Sequence, residues 1–170
     1  MKVLIVIDMQ NDFIDGALGT KEAVAIVPRV KKKIDEYHAI GAPVFFTQDT
    51  HGDDYMQTQE GQRLPIPHCI MNTNGWQISS KLTRDIHDKI IRKGKFGYSN
   101  WEEFEEFSHA EIEIIGLCTD ICVVSNALIL KALFPEAQIK VDAKCCAGVT
   151  PESHEAALTT MESCQIDIIR

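Results

Sequence analysis

Short apolar, β-branched runs recur along the chain at Val3–Ile7, Val44–Thr47, Lys89–Ile91, Ile112–Gly116, Ile139–Val141 and Ile166–Ile169. Runs of this length predict strands buried on both faces. Between them, apolar residues fall at helical spacing over Val24–Tyr37, more weakly over Gln77–His87, and again over Asp120–Leu133 and Glu152–Cys164. Pro28 lacks an amide proton and suits only a first turn, so it marks the start of the first helix. Strands alternating with helices predict a three-layer α/β/α fold, a doubly wound parallel sheet of about six strands covered on both faces. No repeat or low-complexity tract interrupts the pattern, and residues 1–170 read as one domain.

The periodicity fails over Asp49–Asn74, which is rich in Gly, Pro, His, Gln and Asp. A loop of that length inside a compact domain is functional or disordered. Leu64-Pro65-Ile66-Pro67-His68-Cys69 is too apolar for a free linker, so the expectation is an ordered, functional loop.

Composition narrows the function classes. The chain has 170 residues, 45% of them hydrophobic and 25% charged, the balance of a globular protein with its own core. No apolar run approaches the length of a spanning helix, and the N-terminal Met1–Ile7 leads straight into acidic sequence without a cleavage site, so a cytoplasmic protein is expected, with no membrane partner. A net charge of -8 argues against nucleic acid, and Lys31-Lys32-Lys33 is too short to reverse it and reads as a solvated helix face. The six cysteines include the adjacent pair Cys145-Cys146 and serve a core that needs no staples, so they are expected reduced.

In a doubly wound sheet, ligands sit beyond the carboxyl ends of the strands. The residues there are Asp8 after the first strand, Asp49 and His51 after the second, Lys93 after the third, and Cys118 to Cys122 after the fourth. Each has a plain structural reading: Asp8 as a turn or helix cap, Lys93 as a solvated lysine, either cysteine as a buried inert thiol. The spacing Cys118-x-x-x-Cys122 fits neither a metal clip nor a thiol oxidoreductase, both of which favour Cys-x-x-Cys. Thr119 reads as the N-cap of a helix starting at Asp120, which puts Cys122 at the third helical position. There the positive end of the helix favours a thiolate.

Three separated segments, Ile7-Asp8-Met9-Gln10-Asn11-Asp12-Phe13, Ile91-Arg92-Lys93 with Phe96-Gly97, and Gly116-Leu117-Cys118-Thr119-Asp120-Ile121-Cys122-Val123, resemble in order and spacing the signatures of the isochorismatase-like cysteine hydrolases. The likeness extends over essentially the whole chain, through Asp142–Gly148 and the segment Glu152–Leu158. It implies an isochorismatase-like hydrolase fold and a catalytic triad of Asp8, Lys93 and Cys122. It also implies an oxyanion hole from the amides of Cys118 and Cys122, and a cis peptide at Leu117-Cys118. The implied chemistry is attack of the Cys122 sulfur on a carbonyl, with Asp8 as proton acceptor and Lys93 as electrostatic support, followed by hydrolysis of a thioester.

The long loop selects a branch. Asp49-Thr50-His51, Glu60 and Pro67-His68-Cys69 resemble the metal set of nicotinamidases and pyrazinamidases, implying a divalent ion, Zn with Mn or Fe as alternatives, on Asp49, His51, Glu60 and His68. Asp53 and Asp54 compete with Glu60 for the fourth place. Phe13 is the expected ring contact, and Pro65 stands where several nicotinamidases carry a pocket tryptophan. Trp76 and Trp101 read as core or surface aromatics, with Trp101 also a candidate for a pocket or subunit contact. The implied activity is cleavage of a small carboxamide, nicotinamide to nicotinate and ammonia, a reaction of NAD salvage, by a homo-oligomer, dimer or tetramer. The alternatives are another small amide, a carbamoyl compound or isochorismate as substrate, or a catalytically silent binding member.

Overall fold

Every strand prediction locates a strand of one sheet. The computed structural model describes residues 1–170. The strands are β1 (Lys2–Ile7), β2 (Val44–Asp49), β3 (Lys89–Lys93), β4 (Glu111–Leu117), β5 (Gln138–Ala147) and β6 (Asp167–Ile169), all parallel, in the order β3-β2-β1-β4-β5-β6. The chain fills one side of β1 first and then crosses to the other with β4. The order therefore reverses between β1 and β4, where a doubly wound sheet opens a crevice beyond its carboxyl edge.

Alternation along β1 explains why both faces are covered. Val3, Ile5 and Ile7 join one apolar cluster and Leu4 and Val6 another, as the two-residue period of a strand requires. On the Leu4 side lies α2 (Lys21–Ala39), preceded by the short α1 (Asn11–Ile14). On the other side lie α4 (Val124–Leu133) and α5 (Pro151–Ser163), with α3 (Gln59–Arg63) in the long loop. No helix is long and apolar enough to cross a membrane.

The first helix does not start at Pro28. It begins seven residues earlier at Lys21, where the Thr20 hydroxyl accepts from Ala23 N at 3.0 Å. Pro28 sits on the exposed side, while Ala23, Ile26, Val27, Val30, Ile34 and Tyr37 bury a continuous face. That burial outweighs the one backbone hydrogen bond a proline removes. The helix expected over Gln77–His87 is absent. Ile78 pairs with Gln10 in an isolated bridge, Ser79 N donates to Met9 O, and Asp85 and Asp88 accept backbone amides within their own turn. Trp76, Ile78 and Leu82 are buried from an irregular chain instead. Thr119 is not a cap either: it opens a π-helical turn, Thr119–Val123, that runs into α4. Its buried hydroxyl bonds His154 Nδ1 at 2.7 Å.

Candidate active site

Four strand ends deliver the side chains of the site. Asp8, just past β1, has a left-handed backbone (φ 46), which turns its carboxyl back under the crevice and is a conformation Asp tolerates better than most residues. Thr47 of β2 fixes that carboxyl: its hydroxyl donates to Asp8 Oδ1 at 2.6 Å and accepts from Asp8 N at 3.1 Å. Gln10 ties β1 to β2, donating to Asp49 O and accepting from Asp49 N. On β4, Gly116 (φ 120) passes so close to Ile7 that a Cβ there would lie 2.1 Å from Ile7 O. The peptide Leu117-Cys118 that follows is cis, as the resemblance implies.

The structure brings Asp8, Lys93 and Cys122 into contact. Lys93 Nζ lies 2.6 Å from Asp8 Oδ2, 3.3 Å from Asp49 Oδ1, 3.0 Å from Lys95 O and 3.6 Å from Cys122 Sγ. It is a buried ammonium, not a solvated lysine. Apart from that ion pair, Asp8 Oδ2 has no hydrogen-bond partner. Asn126, one turn along α4, donates to Cys122 O and Phe96 O, and its Oδ1 accepts from Trp101 Nε1 and Tyr98 N. Trp101 is a fully buried core residue.

Electrostatics departs from the expectation for the thiol. Burial, and after it the Asp8 carboxylate, pushes the Cys122 thiol well above its ordinary range, with Lys93 opposing. The helix end does not yield a standing thiolate, because desolvation of a fully buried sulfur dominates. Asp8 is likewise raised by burial, against the pull of Lys93. Lys93 is held high by Asp8, Cys122 and Asp49, although burial works to lower it. Burial pushes Cys118 up to about 12. The Cys118 amide donates no hydrogen bond to backbone or side chain, whereas the flanking amides of Ile121 and Val123 both bond Cys118 O.

Beside the thiol stand Asp49, His51 and His68, each offering one ligand atom, all within 4.8 Å of one another. His68 Nδ1 is committed to Ile66 O at 2.9 Å, which turns Nε2 towards the cluster. His51 Nε2 lies 3.0 Å from Asp49 Oδ2. Glu60 Oε1 stands 3.7 Å from Nε2 of both histidines, so it, and neither Asp53 nor Asp54, borders the cluster. Two imidazoles and one or two carboxylates at this spacing suit a divalent ion such as zinc. Asp49 is held below the usual carboxylate range: burial alone would raise it, but the hydrogen bond from His51 and the charge of Lys93 prevail.

Both groups face one cavity, lined by Phe13, Leu18, Asp49, Glu60, Leu64, His68, Phe96, Cys118, Ile121 and Cys122. Phe13 packs against the His68 ring at 5.5 Å. Tyr55 braces both imidazoles, 4.8 and 5.0 Å from the His51 and His68 rings. Thr47, Gln10, Tyr55 and Asn126 all escape sequence reasoning: Thr47 and Gln10 act through partners 39 residues away, and Tyr55 and Asn126 also join distant segments, at His68 and at Phe96, Tyr98 and Trp101. Only Thr47 and Gln10, at a strand end and just past one, carried any positional signal.

Known proteins sharpen the assignment. The chain is 26% identical over 190 residues to the nicotinamidase/pyrazinamidase of Mycobacterium tuberculosis, covering 99% of this chain and 98% of the relative. The crystal structure of the nicotinamidase/pyrazinamidase of Bacillus subtilis superposes with a TM-score of 0.86 at 27% identity over the whole of both chains. The pyrazinamidase of Pyrococcus horikoshii, solved in complex with zinc, gives a TM-score of 0.84 at 27% identity, covering 99% of this chain and 98% of that one. The isochorismatase domain matches residues 2–170, and this chain belongs to the isochorismatase family as a hydrolase.

Proposed function

We propose that this hydrolase is a cysteine amidase that cleaves a small carboxamide, with nicotinamide as the leading substrate, through a thioester on Cys122. The observation that carries the reading is the buried contact of Lys93 with both Asp8 and Cys122, with Cys122 lining the same cavity as Asp49 and His68 of the Asp49, His51 and His68 cluster. The similarity to nicotinamidases along the whole chain supports the substrate.

The raised thiol makes Cys122 a neutral SH at rest, so the nucleophile forms only as its proton leaves. Asp8 Oδ2 is the acceptor: apart from the Lys93 ion pair it is unengaged, and burial raises its affinity for a proton. As sulfur bonds to the carbonyl carbon, negative charge moves to the carbonyl oxygen, where the free Cys118 amide and that of Cys122 receive it. Collapse breaks the C–N bond, and Asp8 passes its proton to the departing ammonia. Asp8 then takes a proton from water, whose oxygen attacks the thioester, releasing the acid and restoring the thiol. Lys93 stays charged throughout, holding Asp8 in place and offsetting charge on sulfur. A divalent ion on Asp49, His51 and His68, with Glu60 beside them, would supply a Lewis acid for a ring nitrogen or a water. Phe13 would stack against such a ring.

The test is ammonia release from nicotinamide by the purified protein, with Cys122→Ala as control and metal content measured on the same sample. Turnover lost in Cys122→Ala supports the reading. A metal-loaded protein inert towards nicotinamide but active on another amide would remove the substrate and keep the chemistry.

A further inference from the structure

A second recess adjoins the cavity at Cys122. Leu64, Phe96, Ile121 and Glu60 also line an outer cleft, completed by Gln59, Arg63, Gly94 and Lys95. The four shared residues border both recesses, so the cleft lies directly beside the cavity. Its apolar part is open: Phe96 is 48% exposed and Leu64 37%. Pro65, next to Leu64, is itself exposed and closes nothing over the cleft.

The charges of the cleft are unequal. The Glu60 carboxylate is turned inward, 3.7 Å from both imidazoles of the metal set. Arg63, in the last turn of α3, and Lys95, two residues past Lys93, take part in none of the chain's ion pairs. The Lys95 ammonium reaches only Ser99 Oγ, at 3.5 Å. In a chain of net charge -8, two cations without carboxylate partners at the mouth of a hydrolytic site make a local positive rim.

We propose that this outer cleft is a substrate subsite, and that it selects carboxamides carrying an apolar neck and an anionic end group, a carboxylate in the simplest case. The reacting carbonyl lies at Cys122, the neck crosses the shelf of Leu64, Phe96 and Ile121, and the anion meets Arg63 and Lys95. The inference rests on the amidase reading of the inner site, but binding and turnover test the two separately. The probes are the monoamides succinamate, glutaramate and adipamate, each beside its uncharged methyl ester. The series of lengths locates the cations.

Binding is measured by calorimetry on the full chain with Cys122→Ala, which cannot form the thioester. At the fitting length the anion is expected to bind about fivefold to tenfold more tightly than its ester, the yield of two partly exposed ion pairs. Added salt and the double substitution Arg63→Gln, Lys95→Gln should both bring that ratio close to one. Equal affinity for anion and ester at every length overturns the subsite, as does a preference that persists in the double variant. Ammonia release by the wild-type chain from the same compounds reads the amidase chemistry on its own. If no amide is cleaved while the anion preference stands in the calorimeter, the mechanism fails and the subsite survives.

Discussion

Replacing Lys93 by Met keeps the length of the side chain and removes its charge. The ammonium bridges two buried carboxylates, Asp8 at 2.6 Å and Asp49 at 3.3 Å. Asp49 keeps its hydrogen bond with His51, but Asp8 keeps only the Thr47 hydroxyl. Stripping one partner from a buried pair costs about 3–5 kcal/mol. The size of that loss has to depend on pH, because Asp8 can escape by taking up a proton. Burial already raises its pKa with the lysine present, and without it the rise must be larger. Above the ordinary carboxylate pKa the unfolded variant has released this proton and the folded variant has not. Stability then falls as pH rises, by about 1.4 kcal/mol per pH unit, until the folded pKa is reached. Followed between pH 5 and 7.5, the fall is bounded by the cost of breaking the pair, about 3–5 kcal/mol. Urea unfolding followed by circular dichroism across that range, on wild type, Lys93→Met and Asp8→Asn with Lys93→Met, measures the slope. The single variant should lose stability steadily with pH, and the double variant should lose most of that dependence. A Lys93→Met curve parallel to wild type, or a deficit below about 1 kcal/mol at neutral pH, would refute the claim that this ion pair keeps the site charged.

Iodoacetamide labelling of Cys122, read by mass spectrometry against the exposed Cys164 as internal standard, should drop in Asp8→Asn, the loss of the base outweighing the loss of the carboxylate's upward push on the thiol; unchanged or increased labelling would contradict the role given to Asp8. Thr47→Val removes the donor to Asp8 Oδ1, so it should cost about 1–3 kcal/mol and move the acid limb of the kcat profile to higher pH; an unmoved limb contradicts the role given to Asp8. Thr119 is wholly buried with His154 Nδ1 as its hydroxyl's partner, next to Cys118. His154→Ala should therefore lower kcat more than it changes KM, and His154→Asn, which can place an amide near Nδ1, should restore much of it; equal damage by both would make the contact a matter of folding alone. His51→Ala with His68→Ala should abolish metal uptake while the circular dichroism spectrum is retained, and elemental analysis that still finds bound metal would contradict the ligand set.

What was legible in the sequence follows from how each feature is encoded. Strands buried on both faces announce themselves in consecutive residues, so Val3–Ile7 and Ile112–Gly116 foretell β1 and β4 to within a residue or so. The candidate site residues were legible because the fold presents them just past those runs. Gln77–His87 misled because Ile78 and Leu82 stand at helical spacing for another reason: both drop into the core from a chain whose amides bond Met9 and Ser79. The turns Trp101–Glu103 and Glu105–His109 bury Trp101 and Phe107 under the sheet without any period to mark them. Thr119 preceding an acidic residue has the form of a cap, and only the tertiary partner His154 diverts its hydroxyl. For Cys122 the helix-end argument was sound in kind and too small in size, since burial of the sulfur is a property of the packed molecule.

The clearest chemical division in the site is between two carboxylates that share one lysine. Asp8 and Asp49 both touch Lys93 Nζ and both are buried, yet their affinities for protons move in opposite directions. Asp8 has a neutral hydroxyl as its second partner and the thiol nearby, so burial wins and the carboxyl can take and return a proton. Asp49 adds a hydrogen bond from His51 to the same lysine, with His68 a further favourable charge, so the anion wins. Environments that drive two like groups apart assign their roles: the raised one carries protons, the lowered one remains charged. In the proposed mechanism Asp49 is then the anion suited to a cation and to steadying Lys93, and Asp8 the base. The residues themselves are the same, so their environments tell them apart: Thr47 and the thiol beside Asp8, His51 and His68 beside Asp49.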